Sequence, residues 1–206
     1  MTFYDEIQKI KTNQSATVFK DYFSSDISWQ QILDFLYTNA SLVARVSQEE
    51  SKRRMAAKQN GTEIYGDVYI SPPLWIKSQT GNVWEQIPQL KDYLYKLNQD
   101  TGFKEKVDYC TCHEYKFKDV SKCGSTWHLD GIIISLAQRR ISEHKDLEDS
   151  VYLQMIGNSF WKIKGKEETE FMLEPGDIIM VPNEVSHEVW GNGPRSGLLL
   201  AAHWLK

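Results

Sequence analysis

The chain has 206 residues, of which 41% are hydrophobic and 12% aromatic, with seven tryptophans; this composition suits one packed globular domain and excludes a disordered polymer. A net charge of −4 gives no electrostatic footprint for a nucleic-acid backbone, so nucleic acid is not indicated as a partner. Three cysteines cannot staple a disulfide scaffold, no apolar run reaches the length of a membrane span, and the first residues lack signal-peptide features, so a cytoplasmic protein without membrane association is expected.

Ser28 with Gln31 makes a capping-box pattern, and Trp29, Ile32, Leu33, Leu36 and Tyr37 recur at helical spacing. They predict a helix running towards Val43 or Val46. Residues 47–61 are polar and include Lys52, Arg53 and Arg54; so short a basic run reads as solvated helix or loop ahead of a phosphate-binding patch. Tyr65–Ile70 alternates as a strand and stops at Pro72-Pro73. Pro88 opens a helix holding Leu90, Tyr93, Leu94 and Leu97, with Gly102 beyond its end. From Val107 the period becomes two. Strands are expected at 107–117, 127–136, 151–156, 160–164, 170–173, 177–181, 186–190 and 197–203, with turn residues between most of them. This pattern predicts a mainly β protein, an all-β barrel or sandwich of the jelly-roll type. The whole chain, 1–206, is expected to be a single domain, with helices and loops of 1–105 packed outside a β-core of 106–206.

Within that core, His128-Leu129-Asp130 lies upstream of a Pro175-Gly176 turn, an apolar strand and then His187. Side chains alternate along a strand, so His128 and Asp130 are expected on one face. A histidine from a distant strand would complete two imidazoles and one carboxylate, the facial set that holds Fe(II) and leaves positions open. His128, Asp130 and His187 are therefore the expected catalytic metal ligands. The residues from Gly131 to Ser150, with Arg139, Arg140, His144 and Lys145, read equally as a loop over the barrel mouth or as a solvated connection.

Other candidates rank lower. Cys110-Thr111-Cys112-His113, followed by Cys123, is a poor zinc pattern without an evident fourth ligand, and ordinary thiols explain it better. Tyr109, His113 and Tyr115 share a strand face that can line a pocket or simply pack a core. His203 reads as a core histidine and Asn192 as a turn residue, while Trp127 and Trp190 either shape the site or fill the barrel.

From Trp127-His128-Leu129-Asp130, through Tyr152–Ile163, to Leu173–His187, the chain resembles the JmjC and cupin-like Fe(II)/2-oxoglutarate oxygenases. The resemblance implies a double-stranded β-helix, a metal held by His128, Asp130 and His187, and hydroxylation coupled to 2-oxoglutarate decarboxylation. It covers none of residues 1–105. Many members of that group carry a basic residue where this chain has Asn158, Ser159 and Phe160. The resemblance therefore points to Arg195, followed by Ser196, as the anchor for the distal carboxylate of 2-oxoglutarate; His113 and Tyr115, by their shared strand face, are the further candidates for lining that pocket. A guanidinium binds a carboxylate through two parallel hydrogen bonds. Alternatives remain open: a cupin-like metal enzyme that uses no 2-oxoglutarate, or a non-enzymatic ligand-binding module. The substrate is left between a small molecule and a protein side chain, and the oligomeric state is open.

Overall fold

A computed structural model describes residues 3–24, 26–39, 74–76, 86–102, 104–105, 126–135, 139–146 and 148–203. The protein is mainly β, with two sheets, antiparallel except where β3 runs parallel to β4, and helices on one side. In chain order the elements are α1 (Phe3–Asn13), β1 (Thr17–Phe19), α2 (Trp29–Thr38), β2 (Leu74–Ile76), α3 (Gln89–Thr101) and β3 (Lys104–Glu105), followed by the barrel strands. These are β4 (Thr126–Ser135), β5 (Arg139–His144), β6 (Asp149–Ile156), β7 (Ser159–Lys164), β8 (Glu168–Leu173), β9 (Ile178–Val181), β10 (Ser186–Gly191) and β11 (Arg195–His203).

One sheet runs β1-β9-β6-β11-β4-β2, with β3 beside β4, and the other runs β5-β10-β7-β8. From β4 onward the chain passes between the two sheets as a jelly roll does, giving a double-stranded β-helix. The first sheet is buried on both faces. Val151, Leu153, Ile178, Met180, Leu198 and Leu200 meet Ile7 and Ile10 of α1, Ile32 and Phe35 of α2, and Leu90, Tyr93 and Leu97 of α3. Their alternate neighbours Tyr152, Ile179, Val181 and Leu199 face the barrel interior with Trp161, Ile163, Val185 and Val189 of the second sheet. Two buried faces explain why β6 reads as an almost continuous apolar run.

The helix signals hold locally. Ser28 and Gln31 form the capping box, and Pro88 precedes α3, which ends at left-handed Gly102 with its N–H bonded to Asn98 O. α2 is shorter than its apolar spacing suggests. Asn39 ends it, with both its backbone N–H and its side-chain amide donating to Phe35 O. Helix α1 was not signalled as an element. Its Ile7 and Ile10 lie one helical turn apart, with Asp5 and Glu6 in the first turn and Lys11 in the last, a charge order that suits the helix dipole. The expected strands at 65–70 and 107–117 lie outside the described residues. Among the described residues no helix is long and apolar enough to cross a membrane.

The segment expected to be loop contains the end of β4 and all of β5. Its polar look comes from facing water: Arg140 pairs with Glu188, and Glu143 takes Lys164 at 2.5 Å and Ser186 at 2.6 Å. Only Ile141 turns apolar surface to the interior cluster. The same outer face stacks Trp190 on Phe160, centroids 5.9 Å apart, so Trp190 neither fills the barrel nor walls its interior.

The Pro175-Gly176-Asp177 turn is a structural clamp. Gly176 has φ 98°, and a Cβ there would lie 2.5 Å from Phe23 O, so any other residue would be strained twice over. Asp177 is 1% exposed, and its carboxylate accepts the N–H groups of Glu174 (2.8 Å) and Asp21 (2.9 Å) and Lys20 Nζ (2.5 Å). Burial alone would raise its pKa, but the Glu174 N–H, Lys20 and the Asp21 N–H outweigh burial and hold it below the ordinary carboxylate range. Its folded pKa lies below the unfolded value near ~3.9. The carboxylate's stabilisation is therefore full above that value and is lost as pH falls through the folded pKa. Asp177→Ala leaves two N–H donors without their acceptor and should cost about 2–3 kcal/mol at neutral pH. The difference from the parent should shrink in strong acid, as pH-dependent chemical denaturation will read out.

Candidate metal centre

Strands β5 and β10 pair antiparallel, and their register sets His144 directly opposite His187. The ladder slips by one residue between His187 and Val189, because Val189 faces Ile141, so β5 carries an extra residue just before His144. Bulges of this kind re-aim a side chain beside functional sites. The two rings lie 4.3 Å apart. Asp146 follows β5 and completes the group, with Oδ1 3.7 Å from His144 Nε2 and Oδ2 3.7 Å from His187 Nε2. One ligand atom from each residue lies within 4.8 Å of the other two.

The backbone fixes the chemistry of both rings. His144 Nδ1 is 2.9 Å from Ser142 O, and His187 Nδ1 is 3.0 Å from Val185 O. A carbonyl only accepts, so each Nδ1 carries a proton and each Nε2, facing Asp146, is the nitrogen that a neutral ring offers to a metal. Such carbonyl-oriented imidazoles are the usual metal-binding arrangement. His187 is 3% exposed and lies flat against Trp161, centroids 5.7 Å apart, while the His144 side chain is 37% exposed. Burial, then the neighbouring His144, lower the pKa of His187, against weaker opposition from Val185 O and Asp146. A neutral His187 is the form a metal requires. Two imidazoles and a carboxylate open on the His144 side thus fit a divalent metal.

The chain carries the H-x-D pattern twice, at His128-Leu129-Asp130 and at His144-Lys145-Asp146. Among the described side chains, the structure groups His187 with the second. The first lies on β4, where the premise of strict alternation does not hold. Ala201 and Leu199, two residues apart on β11, pair with His128 and Gly131, three residues apart. Asp130 is the extra residue of that bulge. His128 shares a cross-sheet row with Ala201, Ser150 and Val181. The side chains of His128 and Asp130 lie outside what is described, as do Tyr109, His113, Tyr115 and the three cysteines. The signal for the second pattern was visible as H-x-D just ahead of the apolar strand β6, but the charged outer face of β5 disguised its strand.

Arg195 opens β11 opposite Ser135 and is 4% exposed. Its guanidinium lies inside the barrel against Gly191, where a Cβ would meet Nη1 at 2.7 Å. Burial lowers its pKa, opposed by the Tyr152 phenol. Ser196 pairs with Ile134 and sits on the side of Leu198 and Leu200, so Arg195 and Ser196 do not line the interior together. Ser159, where a basic residue was looked for, is fully buried. It donates to Gln154 Oε1 at 2.6 Å and accepts Trp161 Nε1–H at 2.9 Å. Lys162 points outward to Glu168 at 2.6 Å.

No family model matches the chain. It is 37% identical over 87 residues to an acireductone dioxygenase of Bacillus cereus, covering 41% of this chain and 49% of that protein. The acireductone dioxygenase of Bacillus anthracis matches to the same extent, 37% over 87 residues. The chain thus spans about half the length of the curated relatives it matches. Among solved structures, a cupin superfamily protein from Desulfitobacterium hafniense overlaps 37% of this chain and 66% of its own, at 21% identity and TM-score 0.33. A 2OG-Fe(II) oxygenase family oxidoreductase from Burkholderia pseudomallei overlaps 37% and 44% at 22% identity and TM-score 0.33. The jelly-roll architecture rests on strand order and register, not on these overlaps.

Proposed function

We propose that the protein is a metal-dependent dioxygenase whose metal is held by His144, Asp146 and His187. The observation that carries this reading is the pair of imidazoles, each oriented by a backbone carbonyl at Nδ1, whose Nε2 atoms meet one carboxylate. The likeness to acireductone dioxygenases supports the reaction class. Two imidazoles with one carboxylate suit Fe(II) among the first-row metals. When bound, such an ion supplies Lewis-acid and redox chemistry towards O₂ and a chelating substrate. The chain does the rest. Ser142 O and Val185 O hold the imidazoles in the ligating tautomer, Trp161 closes the inner side against water, and the exposed edge of His144 leaves one approach open.

Acireductone is the substrate that the likeness nominates, and its oxygenation requires no 2-oxoglutarate in this reading. A 2-oxoglutarate-dependent hydroxylase is the second reading, favoured by the buried guanidinium of Arg195 inside the same barrel. Anaerobic Fe(II) loading followed by separate titration with each compound tests both. One Fe(II) per chain is expected. Oxygen uptake with acireductone supports the first reading, and a weak visible charge-transfer band with 2-oxoglutarate supports the second. A chain that takes up no Fe(II) removes both. Under the second reading Arg195→Ala should weaken 2-oxoglutarate binding at least ~30-fold while sparing Fe(II), because losing one partner of a buried charge pair costs about 2–5 kcal/mol. Arg195→Lys should recover only part of that loss.

A further inference from the structure

We infer that Ser150 is a positioning residue that holds the Asp146 carboxylate in its metal-binding orientation; this rests on the metal-site reading above. Ser150 is buried at the start of β6, and its Oγ–H donates to Asp146 Oδ2 at 2.7 Å. The same oxygen faces His187 Nε2, while Oδ1 faces His144 Nε2. One hydroxyl therefore sets the rotation of the carboxylate about its Cβ–Cγ bond, so that each oxygen meets a different imidazole.

The backbone around this contact is stitched independently. Glu184 N–H donates to Asp146 O at 3.0 Å, and Asn183 N–H donates to Asp149 Oδ1 at 2.8 Å. Asp149 Oδ2 in turn holds Lys11 of α1 at 2.8 Å. Four contacts thus brace the segment carrying His144 and Asp146, three of them tying it to the turn before β10 and to the outer helix. Of these, only the Ser150 contact acts on a ligand atom. Removing it frees the carboxylate to turn towards water, to which its side chain is already 30% exposed, without releasing the backbone. The preorganisation should matter because outer-sphere partners of metal ligands typically contribute 10–100-fold in affinity.

The test is an anaerobic Co(II) titration of the metal-free protein, Ser150→Ala and Ser150→Thr, with visible spectra and thermal midpoints recorded on each. Parent binding with a Co(II) ligand-field spectrum establishes the starting point. Ser150→Ala should then bind Co(II) roughly 10-fold more weakly, with an altered spectrum and a nearly unchanged metal-free midpoint. Ser150→Thr, which keeps the hydroxyl, should restore affinity and spectrum. Parent-like affinity and spectrum in Ser150→Ala would overturn the inference while leaving the metal site standing. So would equal losses in both variants alongside a lowered midpoint, which would mark Ser150 as a packing residue. A parent that binds no Co(II) would overturn the metal site and this inference together.

Discussion

His144→Ala is expected to weaken binding of a divalent metal by more than the roughly 10–100-fold typical of an outer-sphere partner, because it removes a ligand itself. The fold should survive, since His144 is half-exposed at the end of an edge strand and its ring Nδ1 is bonded to Ser142 O of the same strand. Loss of the ring also removes the neighbour that helps to lower the pKa of His187. Isothermal titration of metal-free parent and variant reads the affinity, and circular dichroism checks the fold. Unchanged affinity in a folded variant would place the metal elsewhere.

Trp161→Ala should give the largest loss of stability. Trp161 is 4% exposed at the centre of the barrel, 5.1 Å from the ring of Tyr152 and stacked on His187. Truncating a buried tryptophan costs about 3–5 kcal/mol through lost burial and the cavity left behind. For a chain of this size that lowers the thermal midpoint by roughly 6–20 °C. The indole Nε1–H also donates to Ser159 Oγ, which in turn donates to Gln154, so the variant breaks a buried polar chain as well. Trp161→Phe keeps most of the volume and loses that bond. It should fall between parent and alanine variant in a denaturant series. An alanine variant within 1 kcal/mol of the parent would show that Trp161 is not the keystone of the interior.

Much of the fold was legible in the sequence, because each element followed from a local rule. Ser28 and Gln31 announced α2, Pro88 and Gly102 bracketed α3, and Pro175-Gly176-Asp177 marked the turn into β9. Strand β5 escaped because its exposed face is a ladder of charges paired with β7 and β10, contacts that no local pattern reveals. With β5 hidden, His144 and Asp146 were left in an apparent loop. Only the antiparallel register of β5 on β10 brings His144 opposite His187. Alternation along β4 is likewise interrupted by the bulge at Asp130, which depends on pairing with β11. Arg195 at the head of β11 was legible by position, whereas its place inside the barrel depends on the close approach that Gly191 allows.

Whether His144, Asp146 and His187 hold the metal can be seen directly. The most direct test is a crystal structure of the protein grown with Co(II), with anomalous data collected on both sides of the cobalt absorption edge. One strong anomalous peak is expected, about 2.0–2.2 Å from His144 Nε2, His187 Nε2 and an Asp146 carboxylate oxygen, the range of first-row metal bonds to imidazole and carboxylate. A peak coordinated by His128 and Asp130, or no peak between β5 and β10, would contradict it.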